Sequence, residues 1–281
     1  MRIAVLGMGR MGRALGHRLI DDAHELVIWN RTPGKAPELV GRGVAEAGSI
    51  EVATQGVDLV ITSLANDDAV REVALGERGV RESLGEIATY VDASTVGTTL
   101  TGELDTRFER FVAMPILGTP SAVASGDAIY LVGASGDNAK NVDPLFPGLS
   151  KTVLRYDAPA LAATAKVTVN LLLLNAVVAL SESLVVGRAG GLSVDQLSEL
   201  LHKSPMVAPG VKNRLDGVLR GEQNPWWTLP LGAKDAGLAL DVAAEAGVAL
   251  PVTQAVRDRY EEAASKWADQ DIAAIRNLYR D

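Results

Sequence analysis

Residues 2–156 set short β-rich runs, "RIAVL", "ELVIWN", "VDLVITSL", "ATYVDAS", "RFVAMP", "AIYLVGA" and "KTVLRY", between segments of helical or turn character. That alternation predicts a mostly parallel sheet covered by helices. After Pro159 the β-rich runs stop. A long helical pattern runs from about residue 159 to 188, "AGGLS" breaks it, and helical segments follow near 193–202, 230–247, 251–267 and 271–280. "SPMVAPG" reads as a loop. The pattern therefore divides the chain into an α/β part, residues 1–158, and an all-helical part, residues 159–281, that opens with one long apolar helix. No repeat of fixed period and no low-complexity tract interrupts it.

Residues 167–186 have nearly the length of a membrane span. They carry Asn170, Asn175, Ser181, Glu182 and Ser183, which a lone lipid-facing helix would not tolerate well, so a buried helix of a soluble protein is expected. The N-terminal "MRIAVLGMGRMG" begins with a basic residue and an apolar run, but its glycines break any signal-peptide core; it reads as a strand, and a cytoplasmic location is expected. With 281 residues, two domains are expected, and two domains allow a cleft. A net charge of -8 disfavours nucleic acid and anionic membranes as partners, since both want a basic field. Cysteine is absent, and the three histidines, His17, His24 and His202, are scattered, so neither a thiolate nucleophile nor a metal site is expected.

The stretch "RIAVLGMGRMGRALGHRL" places Gly7, Gly9 and Gly12 directly after a strand and at the start of a helix. In that context the first glycine permits a tight turn, the second lets the backbone approach a pyrophosphate, and the third lets helix and strand pack closely. Gly7, Met8, Gly9, Arg10, Met11 and Gly12 are therefore the expected dinucleotide cradle. The plainer alternative is a glycine-rich turn that holds no ligand. About twenty residues beyond the fingerprint, where NAD enzymes usually offer an acid to the ribose, this chain has "WNRTPGK", with Asn30, Arg31, Thr32 and Lys35. A carboxylate would repel the extra phosphate of NADP, whereas Arg31 can grip it through a planar fork and Thr32 can add a hydroxyl. NADP(H) is favoured over NAD; the plainer alternative for Arg31 is a solvated surface charge.

Lys166 stands at the mouth of the apolar helix, and helical spacing puts Asn170 on the same face one turn on. Moving a hydride to a carbonyl also requires a proton for the nascent alkoxide, and a lysine beside a dry cleft can supply it because burial lowers its pKa. Asn170 would orient the ammonium or the substrate oxygen. A lysine that only runs its stem along apolar surface to reach water fits the same spacing.

The motifs "GMGRMG", "WNRTPGK", "DASTVG", "AKVTVN" and "LGAKDAGLALDVA", in that order and over nearly the full length, resemble the β-hydroxyacid dehydrogenases, the group of 3-hydroxyisobutyrate dehydrogenase and glyoxylate or succinic semialdehyde reductases. The resemblance implies a Rossmann domain, a long interdomain helix and a helical domain that often dimerises, hence a homodimer or a dimer-based oligomer. It places the family's catalytic lysine on Lys166 and its partner asparagine on Asn170. It implies a substrate-contacting role for Ser94, a place beside the nicotinamide ribose for Thr95, and a cofactor contact for Lys234, the lysine of the KD pair. Leu64 and Ala65, after the strand in "VDLVITSL", join the expected cofactor contacts, Ala65 standing where many members have proline. Ser94 as a capping hydroxyl and Lys234 as a helix-surface charge are the plainer alternatives.

One motif departs. Where the family has a Ser-Gly-Gly loop, this chain reads "MPILGTPSAVASGD", with Leu117, Gly118 and Thr119. The glycine is kept, so the backbone near Gly118, with Thr119 and Ser94, is expected to hold a polar group of the substrate. The serine hydroxyl is replaced by an apolar side chain, a feature shared with imine reductases, which resemble the same fold but commonly carry aspartate or tyrosine at the position of Lys166. Retention of Lys166 and Asn170 keeps carbonyl and alcohol chemistry ahead of C=N reduction. The expectation is an NADP(H)-dependent oxidoreductase with Lys166 as general acid and base, acting on a small carbonyl, hydroxyacid or imine. A non-catalytic NADP-binding sensor or scaffold is the alternative from another class; it has no need of Lys166, Asn170 and Ser94 together.

Overall fold

All seven β-rich runs form strands, and two very short strands join them. In the computed structural model, which describes residues 1–221 and 225–279, the strands are β1 (Arg2–Leu6), β2 (Glu25–Trp29), β3 (Ala45–Glu46), β4 (Leu59–Thr62), β5 (Thr89–Asp92), β6 (Phe111–Ala113), β7 (Ile116–Leu117), β8 (Ile129–Gly133) and β9 (Thr152–Tyr156). They build one sheet in the order β3-β2-β1-β4-β5-β6-β8-β7, with β9 on β8. Neighbours from β3 to β6 are parallel, β8 is antiparallel to both β6 and β7, and β9 is parallel to β8. This is the doubly wound order, with its switch point between β1 and β4.

Alternate strand residues go to opposite faces, and both faces are covered. Ile3, Val5, Ile28, Ile61 and Val91 belong to one buried cluster, while Ala4, Leu6, Val27, Val60 and Tyr90 belong to another. The register aligns Trp29 with Leu6, Leu6 with Thr62, Thr62 with Asp92 and Asp92 with Ala113. Since β7 and β6 both oppose β8, β7 runs in the direction of β6. The residues that follow β1, β2, β4, β5 and β7 therefore emerge at one edge of the sheet, where ligands of such folds bind.

The chain divides into two compact units, Met1–Lys166 and Val167–Asp281, and the division falls within the helix Pro159–Ala189. In the first unit the start of that helix lies close over β8. A Cβ at Gly133 would stand 2.6 Å from the Ala158 carbonyl oxygen and 2.7 Å from the Ala162 Cβ, so a residue without a side chain lets the helix seat there.

In the second unit the inner face of the helix, Leu174, Val177, Leu180 and Leu184, packs in a buried cluster with Leu229, Ala236, Tyr260 and Ile272. The expected buried helix is buried on this face and exposed on the opposite one. Only 39% of its most apolar window is buried, and Leu172 and Val186 are each 73% exposed. The helix is apolar on both sides, and this chain covers one of them. The helices Val194–Lys203, Leu229–Glu245 and Pro251–Trp267 lie where the pattern predicts them, the first closed by a Ser193–Gln196 capping box. The last segment is a 3₁₀ helix, Ile272–Tyr279, and residue 280 of the expected helix lies outside the described residues. The "SPMVAPG" loop ends in a short helix, Pro209–Lys212, and another, Leu215–Arg220, follows; both were absent from the pattern because neither completes two turns. Asp271 accepts from the Trp227 and Ala273 amides, pairs with buried Arg214 at 3.2 Å, and bridges to Thr228, which fixes the start of Leu229–Glu245.

Candidate active site

The turn after β1 is shaped by what its glycines cannot carry. Gly7 has φ +105°, and a Cβ on it would run into the Ser63 carbonyl; a Cβ on Gly12 would run into the Gly7 carbonyl. Gly9 differs: a Cβ there meets nothing within 4 Å, so the protein itself makes no demand for glycine at that position. The helix Arg10–Asp21 starts at Gly9 with no side-chain cap and no acid in its first turn. Its first amides and the positive end of its dipole are thus left for an anion. Together these features fit a pyrophosphate lying over Gly9. Met8 is buried, so its part in the turn is played by its backbone: its amide donates to Asn30 Oδ1 at 2.9 Å, and Asn30 Nδ2 donates to the Thr32 carbonyl at 2.8 Å. Asn30 therefore ties the glycine turn to the loop after β2. Arg10 is exposed and Met11 half-buried against the core.

Arg31, Thr32 and Lys35 are all exposed in that loop. Arg31 Nη1 lies 3.5 Å from Glu72 Oε2. Arg13 Nη1 donates to the Lys35 carbonyl at 3.4 Å, and the Gly34 amide donates to Glu46 Oε1 at 2.8 Å, which braces the loop against β3.

At the ends of β4 and β5 the Leu64 amide donates to Ser94 Oγ at 2.9 Å, and the Ser94 amide donates to Asp92 Oδ1 at 3.2 Å. Asp92 also accepts from Thr62 Oγ1 at 2.7 Å, and Thr62 shares a 2.9 Å hydrogen bond with Tyr90. Burial holds the Asp92 carboxyl above the usual carboxylate range, against the downward pull of hydrogen bonds from Ser94 and Thr62. Burial, with the charge of Asp92, raises the Tyr90 phenol well above its ordinary value. Ser94 is buried, and its hydroxyl braces the two loops. Thr95 and Leu64 are half-buried at the same edge and Ala65 is exposed.

Gly118 has φ +148°, with a would-be Cβ 3.2 Å from the Ala128 Cβ and 3.3 Å from the Ala122 Cβ, so glycine suits the position and bare backbone results. Thr119 caps the helix Pro120–Ser125: its Oγ1 accepts from the Ala122 amide at 3.1 Å and sits 2.7 Å from Ser121 Oγ, so the hydroxyl has local partners. Lys166 Nζ donates to the Ile116 carbonyl at 2.7 Å. The ammonium is thereby held on the strand that leads directly into Gly118.

In the helical unit, Asn170 Nδ2 donates to Asp235 Oδ2 at 2.8 Å, and Lys234 Nζ lies 2.8 Å from Asp235 Oδ1. Asp235 is 3% exposed and holds both groups, yet only its neighbour Lys234 is singled out by sequence. The KD dipeptide was the available signal. Glu72 gave none, because its partner Arg31 lies far away in the chain. Asp235→Ala is expected to lower unfolding stability by about 1.5–3 kcal/mol through loss of the Asn170 hydrogen bond to the charged group, read as a lower urea midpoint at unchanged slope. Among the described residues no cluster of three metal-ligating side chains occurs.

Residues 2–157 match the family model for the NAD binding domain of 6-phosphogluconate dehydrogenase, and residues 161–279 match that for the NAD-binding of NADP-dependent 3-hydroxyisobutyrate dehydrogenase. An uncharacterised oxidoreductase of Bacillus subtilis (strain 168) is 32% identical over 98% of this chain and 98% of its own. Glyoxylate/succinic semialdehyde reductase 1 of Arabidopsis thaliana is 29% identical over 98% of this chain and 97% of its own. The crystal structure of 3-hydroxyisobutyrate dehydrogenase from Salmonella typhimurium shares the fold with a TM-score of 0.89, covering 99% of each chain at 19% identity. A dinucleotide turn that needs glycine at two positions and leaves a third open, on a doubly wound sheet matched over its whole length, agrees with those likenesses. The chain is a member of the β-hydroxyacid dehydrogenase family, oxidoreductases that use a nicotinamide cofactor.

Proposed function

We propose that this protein is an NADP(H)-dependent reductase and dehydrogenase of small carbonyl and β-hydroxyacid substrates, with Lys166 as general acid and base. The observation that carries this reading is the Lys166 ammonium, held at 2.7 Å by the Ile116 carbonyl two residues before the bare backbone of Gly118. A bound nicotinamide supplies or accepts the hydride. Residues 7–12 hold the pyrophosphate, and Arg31, Thr32 and Lys35 hold the adenosine 2′-phosphate. Lys166 Nζ gives its proton to the oxygen that becomes the alcohol, and the neutral amine takes it back in oxidation. Asn170, whose Nδ2 donates to Asp235, is assigned to orienting the ammonium or the substrate oxygen. The backbone at Gly118, with Ser94, holds the polar group of the substrate. A homodimer is part of the same reading, since a second copy would cover the apolar helix face that bears Leu172 and Val186.

Leu117 supports a second reading, imine reduction, because it removes a hydroxyl from the substrate loop and makes the pocket more apolar. Initial rates with NADPH and NADH against aldehyde acids, glyoxylate, apolar aldehydes and cyclic imines separate the two. The expected result is rapid oxidation of NADPH by an aldehyde acid. Turnover with imines alone would move the assignment to C=N reduction, and tight NADPH binding without any turnover would move it to a sensor or scaffold.

A further inference from the structure

The second strand is followed by Asn30, without the acid that usually receives the ribose hydroxyls, yet a carboxylate reaches the neighbouring position from another element. Glu72 lies on the helix Asp67–Leu75, which follows β4, and its Oε2 stands 3.5 Å from Arg31 Nη1. We propose that Glu72 sets the cofactor preference by competing with the 2′-phosphate for Arg31 and by serving the 2′-hydroxyl when the phosphate is missing. This rests on the assignment of Arg31 to the 2′-phosphate.

Three observations support the competition. The pair is open to solvent, with side chains 79% and 65% exposed, so Arg31 can leave Glu72 without uncovering a buried charge. Arg31 belongs to the loop that Asn30 ties to the Met8 amide, which places the pair beside the dinucleotide turn rather than on an unrelated surface. Among the described carboxylates near this loop, Glu46 accepts from the Gly34 amide at 2.8 Å and Glu38 lies 3.7 Å from Arg13, whereas Glu72 is the one paired with Arg31 itself.

The consequences differ in sign for the two cofactors. A guanidinium fork that turns to a phosphate leaves the Glu72 carboxylate facing a second anion, and that repulsion weakens NADPH binding. A ribose 2′-hydroxyl is a donor, and a carboxylate near it accepts, as the acid at the end of the second strand does in NAD enzymes. Glu72 thus moderates the preference for NADP(H) that Arg31, Thr32 and Lys35 create.

The test is the dissociation constants of NADPH and NADH, measured by calorimetry on the full chain for the parent, Glu72→Gln, Arg31→Gln and the double variant, with melting temperatures confirming intact folds. Glu72→Gln is expected to tighten NADPH by about two- to fivefold, the range an exposed ion pair is worth, and to loosen NADH. In the Arg31→Gln background the gain for NADPH should vanish. A Glu72→Gln variant that weakens NADPH, or leaves both constants unchanged, overturns the proposal, as does a gain that persists without Arg31. If Arg31→Gln itself leaves NADPH affinity untouched, the 2′-phosphate assignment fails, a result distinct from any failure of Glu72 alone.

Discussion

Lys166→Ala lowers kcat by about 10²- to 10⁴-fold, the range that a positioned acid or base contributes, while NADPH binds with nearly parental affinity. The two halves of this expectation have separate causes. The proposed pyrophosphate cradle is backbone at residues 7–12 and the start of the helix Arg10–Asp21. The Lys166 ammonium sits instead on the Ile116 carbonyl, at the entrance to the Gly118 loop. Removing it leaves that carbonyl one donor poorer and, on the proposed mechanism, leaves the developing alkoxide without a proton source. Stability should change little, because the side chain is only half-buried and its hydrogen bond can be replaced by water. Single-turnover rates with NADPH, beside equilibrium binding of the cofactor, separate chemistry from affinity. Parental turnover in the variant would remove Lys166 from the mechanism and leave the lysine as a stem lying along apolar surface.

Gly12→Val and Gly9→Val should fail in opposite ways, although the two glycines belong to one motif. At Gly12 the new side chain collides with the Gly7 carbonyl, a backbone atom held in turn by the Gly7 amide on Trp29 and by β1 in mid-sheet. Nothing flexible can give way, so the cost exceeds the roughly 1–3 kcal/mol of ordinary overpacking, and the variant should melt far below the parent or fail to fold. At Gly9 the side chain enters open space. The fold and melting temperature should survive, and cofactor affinity should fall by about tenfold or more, since each 1.4 kcal/mol of lost contact with the pyrophosphate is a factor of ten. Thermal melts and NADPH titrations of both variants provide the comparison. If Gly9→Val binds NADPH as the parent does, the open space over Gly9 does not hold the pyrophosphate.

That contrast also marks how far the site was legible in the chain. The glycine spacing identified the turn and gave each glycine its expected part, the second for the pyrophosphate and the first and third for the turn and its packing; what it could not name are the atoms that exclude a side chain at Gly7 and Gly12, the Ser63 and Gly7 carbonyls, which only the fold brings there. The seven β-rich runs became strands because continuous runs of Val, Ile and Leu are comfortable only where both faces are covered. β7 escaped notice because two residues make no period, yet it carries the carbonyl that holds Lys166. Thr119 was legible as a hydroxyl in the right loop; its engagement as the cap of Pro120–Ser125 was not.

Local periodicity and the special needs of glycine thus suffice to specify a mostly parallel, helix-covered sheet, the long apolar helix, the dinucleotide turn and the one-turn spacing of Lys166 and Asn170. These are properties of neighbouring residues, and the physics that selects them acts over a few positions of chain. Tertiary contacts made the remaining decisions: the Ile116 carbonyl as the seat of Lys166, Asp235 as the shared partner of Asn170 and Lys234, Glu72 as the counter-ion of Arg31, and an apolar helix face that stays uncovered. Each joins groups distant in the chain, or depends on which side of a helix finds a partner, and both follow from strand register and packing, which no window of sequence contains.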